Sequence, residues 1–72
     1  MNNRSSLIPV RFRDQIAAMP ECSYGVTRIV VTLDDGSRIS DVFVAWSEEI
    51  VKVGTSLTVT FDPDRIVKVE IQ

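Results

Sequence analysis

Residues 26–46 read VTRIVVTLDDGSRISDVFVAW, and this stretch decides the fold. Val26 to Leu33 is crowded with β-branched side chains, which suit a pleated, half-buried surface. Asp34-Asp35-Gly36 follows as a hairpin turn signal, and Arg38 to Trp46 reads as the return strand. Ile29, Val31 and Leu33 share one face, while Val30 lies on the other. In the return strand, Phe43 and Ala45 alternate with Val42, Val44 and Trp46. Apolar residues therefore occupy both faces, and the second face needs a cover of its own.

Toward the C-terminus the strand pattern continues. Ser47-Glu48-Glu49 is a polar turn, and Ile50 to Val53 a short third strand closed by Gly54-Thr55-Ser56. Leu57, Val59 and Phe61 alternate with Thr58 and Thr60, which predicts a fourth strand with one wet face. Asp62-Pro63-Asp64 breaks it with a single 3₁₀ turn, and Ile66 to Ile71 is the fifth.

Toward the N-terminus two periods compete. Ile8, Val10 and Phe12 alternate as in a strand, whereas Phe12, Ile16 and Met19 recur as in a helix. Gln15, Ala17 and Ala18 favour helix, and Pro20 stops it. The reading is an extended lead-in, a helix over 11–19, and a connection from Pro20 to Gly25. The Phe12-Ile16-Met19 stripe is a candidate cover for part of the second apolar face. Residues 1–6 are expected as a flexible tail, and residues 7–72 as one domain. Five short strands with short loops predict a mainly β fold, a small SH3-like barrel with a short N-terminal helix. An OB barrel is disfavoured, because too few residues separate Val53 from Leu57 for its helix.

Leu33, Asp35, Gly36, Ile39, Phe43 and Val44 resemble the first motif of Sm-like proteins, and the order of helix, strands and final tight turn is similar. The likeness covers residues 11–72 in layout and 29–53 in motif. It implies strand-edge pairing into a ring and RNA binding. Asp41 stands where that family has a bend glycine. Ser47 and Val51 replace its base-contacting Asp and Asn, and Asp62-Pro63-Asp64-Arg65 replaces its second motif. The family's base site therefore does not carry over.

Composition narrows the chemistry. The 72 residues are 44% apolar and 25% charged, with a net charge of -2, an ordinary globular balance. With no His and one Cys, neither an internal disulfide nor the usual zinc sites can form. No cofactor or metal is expected, no apolar run approaches a membrane span, and a cytoplasmic location is the default. The acids fall mostly at turns, Asp34-Asp35 and Asp62-Asp64 lack calcium-loop spacing, and Cys22 has no His to activate it. An enzyme is not expected.

A single small core gives limited stability, so self-association is the expected staple. The leading expectation is a non-enzymatic interaction module, a dimer or ring, using Val42, Val44, Trp46, Val67, Val69 and Ile71 as contacts. The alternative is an Sm-like RNA binder. Arg4, Arg11, Arg13 and Arg65 would meet phosphates, and Tyr24 or Trp46 would stack bases. A third reading is an accessory domain docking on a larger protein partner through Trp46. The charge is uneven: residues 1–13 hold three arginines and no acid. Such a segment suits an arm that pairs with an acidic neighbour.

Overall fold

A computed structural model of the chain describes residues 6–72. The tail expected over residues 1–6 lies outside them except for Ser6, whose carbonyl accepts the Ile50 N–H at 2.9 Å. In chain order the elements are α1 (Val10–Ala17), β1 (Val26–Leu33), β2 (Arg38–Ala45), β3 (Glu49–Val53), a 3₁₀ turn (Pro63–Arg65) and β4 (Ile66–Ile71). The strands form one antiparallel sheet in the order β3-β2-β1-β4.

The helical period prevails over the strand period in the N-terminal segment. Phe12, Ile16 and Met19 are buried, while Val10 is 75% exposed. Pro9 stands at the N-cap with φ of -54°, a position where a missing N–H costs nothing. The stripe does not cover a second apolar face. It joins Ile8, Ile29, Val31, Leu33, Val42, Val44, Ile50, Val53, Phe61, Ile66 and Val69 in a single core. On the opposite side of the sheet, Phe43 is covered by cations, with Arg28 at 5.7 Å and Lys52 at 5.3 Å from its ring centre.

Four strands form, not five. The expected strand Leu57–Phe61 is a loop in which Phe61 alone turns fully into the core and Leu57 is 80% exposed. Two local causes act. The Ser56 hydroxyl accepts the Thr58 N–H at 3.2 Å, a side-chain turn that competes with sheet pairing. The outer edge of β3, where the strand would pair, is also taken at its start by the N-terminal segment. Ile8 N–H donates to Glu48 O at 2.7 Å, and Leu7 bridges Glu49.

Each strand pair contains a register shift. Ile29 faces Val42 but Val31 faces Ile39, Phe43 faces Lys52 but Val44 faces Ile50, and Thr32 faces Lys68 but Leu33 faces Ile66. Each shift puts an extra residue into one strand, which bends and twists the sheet. It also resets which face the following residues occupy. Ile39 and Val42, Ile50 and Val53, and Ile66 and Val69 all face inward at a spacing of three, where an unbroken strand allows only even spacings. At the first bulge Asp41 has φ of +58°. Asp reaches this left-handed region more readily than most residues, so it accommodates the bend of β2 at this bulge.

This resetting corrects three of the expected contact residues. Val42, Val44 and Val69 are core side chains, fully or almost fully buried. Period-two counting from Ile39 or Ile66 places them outside, and the bulges at Ser40–Asp41 and Val67 turn them in. Trp46, Val67 and Ile71 remain exposed.

Candidate interaction surface

The turn from β2 into β3 starts one residue earlier than its sequence suggests. Glu48 N–H donates to Ala45 O at 3.0 Å, and both central residues have positive φ, Trp46 at 55° and Ser47 at 65°. This is the pattern of a type I′ hairpin turn, which matches sheet twist but wants Asn-Gly at its centre. A bulky residue in the left-handed region costs about 1–2 kcal/mol. The geometry is ordinary for a hairpin, whereas its occupant, a tryptophan, is not.

The neighbouring loop is shaped to receive that tryptophan. Cys22 N–H donates to Val26 O at 2.8 Å, which closes a tight loop ahead of β1. Gly25 sits in it with φ of +74°, and a Cβ there would lie 2.7 Å from Trp46 Cζ2. Only glycine meets both demands, the backbone angle and the close approach. Trp46 N–H donates to Gly25 O at 2.7 Å. Glu21 Oε1 accepts the Gly25 N–H at 3.2 Å, a second tie within the loop. The Tyr24 ring stands perpendicular to the indole, with centroids 5.6 Å apart, a favoured edge-to-face geometry. Even so, Tyr24 is 89% exposed and Trp46 63%.

Other expected site residues are scattered. Val67 and Ile71 lie on β4, an edge strand whose outer side is partly closed. Arg11 donates to Ile66 O at 3.0 Å, and Gln15 Nε2 donates to Val69 O at 2.9 Å. Side chains that cap edge carbonyls in this way block pairing with another strand. Of the arginines weighed for nucleic acid, Arg4 lies outside the described residues, and Arg11, Arg13 and Arg65 are engaged within the protomer. Arg11 also lies 4.7 Å from the Phe12 ring centre, Arg13 Nε donates to Ile8 O at 2.9 Å, and Arg65 pairs with Asp34 at 2.9 Å and Asp35 at 3.2 Å. Tyr24 sits with none of them and shares its loop end with Trp46.

The perturbed acids are structural. Asp35 lies below the usual carboxylate range, chiefly because the Ser37 N–H donates to it, with help from the Ser37 hydroxyl and Arg65. Asp41 is also lowered, first by Arg28 and then by Gln72. Asp34 in turn raises Arg65. Among the described residues no three His, Cys, Asp or Glu side chains gather as metal ligands. No helix there is long and apolar enough to cross a membrane.

Sequence reasoning singled out Trp46 and Tyr24 but missed Gly25 and Glu21, which hold them. The available signal was a glycine directly after Tyr24 at the mouth of β1. Compared with family models, with curated proteins and with solved structures, the chain matches none.

Proposed function

We propose that this protein is a non-enzymatic interaction module that self-associates through the face carrying Tyr24 and Trp46. The observation that supports this reading is the placement of Trp46 in a turn position that folding alone would give to Asn or Gly. Strain kept at a surface position points to a role outside folding. Exposed Trp and Tyr are also the side chains that most often anchor protein interfaces. We read the bulged sheet, with its 3₁₀ turn before the last strand, as an SH3-like architecture in which the fourth strand is replaced by a loop.

The experiment is sedimentation equilibrium on the full chain and on Trp46→Asn. Asn suits the left-handed turn, so this variant keeps the fold and removes the ring. The wild type is expected at a multiple of 8.1 kDa, and the variant at the monomer mass with unchanged far-UV circular dichroism. A wild-type monomer over the whole concentration range rejects the reading, and so does a variant that assembles as the wild type does.

A further inference from the structure

We propose that the outer edge of β3 is a switch, for which the segments Ser6–Ile8 and Leu57–Phe61 compete. The inference stands apart from the self-association reading. In the closed arrangement Ser6–Ile8 holds the edge. Ile8 N–H donates to Glu48 O at 2.7 Å, Ile50 N–H donates to Ser6 O at 2.9 Å, and Leu7 bridges Glu49 between them.

Leu57–Phe61 already has one end on that edge. Val53 and Ser56 exchange both backbone hydrogen bonds, each at 2.9 Å, across the two-residue turn Gly54-Thr55. Gly54 gives this turn its positive φ of 60°. A hairpin is therefore started and then stops. Continued one residue at a time, it lays Val59 beside Ile50 and Phe61 beside Glu48. Those are the positions that Ser6–Ile8 occupies. Phe61 is in the core, and Val59 packs against the same cluster as Ile50. What is missing is the backbone pairing. Among the described residues no hydrogen bond reaches the backbone of Leu57, Val59, Thr60 or Phe61, and Thr58 is bound only to the Ser56 hydroxyl. A cavity of about 570 Å³ separates Glu49, Ile50 and Val51 from Leu57, Thr58 and Val59. Unpaired backbone groups gain by pairing. The two-residue tether gives this segment an effective concentration at the edge far above that of a separate chain.

Ile8 sets the balance. Its side chain is fully buried, so releasing Ser6–Ile8 gives up core packing, and the closed arrangement is the major one. Once released, the segment leaves Glu48 and Ile50 free, and Leu57–Phe61 closes on β3 as a further strand. Anything that draws Ser6–Ile8 away is thereby coupled to this loop, far along the chain.

The test is ¹⁵N chemical-exchange saturation transfer on three full-length proteins: wild type, Ile8→Val, and Leu7→Cys/Glu49→Cys in a Cys22→Ser background. Circular dichroism first establishes that each is folded. Leu7 and Glu49 face each other across the pairing, at a separation that a disulfide spans. Oxidation therefore locks the segment in place, and reduction frees it in the same molecule. The wild type is expected to show one minor state shared by residues 6–8 and 57–61, with strand-type backbone shifts in 57–61. Ile8→Val removes one buried methylene and raises the minor population about fivefold. Oxidation of the cysteine pair abolishes the minor state, and reduction restores it. The switch is overturned if Ile8→Val shows no minor state, if the state survives the oxidised lock, or if 57–61 lack strand shifts in it. A minor population that grows with protein concentration belongs to self-association and overturns the switch as well.

Discussion

Gly25 carries more of the surface than its size suggests. It supplies a positive φ, leaves room for the indole, accepts the Trp46 N–H at its carbonyl and donates its own N–H to the Glu21 carboxylate. In Gly25→Ala the methyl group would start 2.7 Å from the ring, and the backbone angle would be disfavoured as well. The expected loss is about 1–2 kcal/mol of stability. Displacement of Trp46 should appear as a red-shifted emission in the folded monomer. Denaturant unfolding followed by fluorescence measures both; a variant with wild-type stability and emission would refute the packing described for this loop. Asp41 shows the complementary case at the same scale. There a residue with a short polar side chain takes a left-handed angle and anchors it through Arg28 and Gln72.

At the scale of the element, the bulges decide which valines serve the core. Val67 and Val69 are two apart and would share a face in a regular strand. The shift between Lys68 and Ile66 in the pairing with β1 leaves Val67 exposed and Val69 buried. Val69→Asp would place an unpaired carboxylate in the core, which is strongly destabilising. Val67→Asp, at the surface, should change stability by less than about 0.5 kcal/mol. Urea midpoints for the two variants decide it, and a similar loss in both would mean that β4 has no bulge. The lost fourth strand belongs to this scale too. Leu57, Val59 and Phe61 have a strand's alternation, but strand pairing requires a free partner edge. The edge of β3 is already shared with Ser6–Ile8.

At the scale of the whole molecule, surface charges link distant parts of the chain. Asp41, in β2, binds Arg28 of β1 and Gln72 beyond β4, which ties three strands on the outer face. Asp34 and Asp35, in the hairpin turn, bind Arg65 of the 3₁₀ turn. Because the folded pKa values of Asp35 and Asp41 lie below 3.8, the unfolded chain takes up protons first as pH falls. Their contribution to stability is present above the ordinary carboxylate value and is lost as pH drops from there through the lower folded values. Asp41→Asn keeps the turn-forming side chain and removes the titration. It should flatten the acid limb of a stability profile below about pH 4, while the profile near neutrality runs parallel to that of the wild type. An acid limb as steep as the wild type's would show that Asp41 does not contribute.

Much of this was legible along the chain. The hairpin over 26–46, the helical stripe of Phe12, Ile16 and Met19, the 3₁₀ turn after Asp62 and the last strand all follow from local signals. β-branching, turn residues and periodicity act within a few positions of one another. Trp46 also stood out in the sequence, as an aromatic at a strand end. The face that each valine takes was not legible, because a bulge is set by what the neighbouring strand can pair with. Nor was the loss of the fourth strand, which depends on a segment some fifty positions away reaching β3 first. Gly25 under Trp46 has the same cause: residues 21 positions apart in the chain meet only once β1 and β2 are paired. Local propensity names the elements, whereas competition for hydrogen-bonding edges and for interior volume decides which of them pair and which side chains remain at the surface.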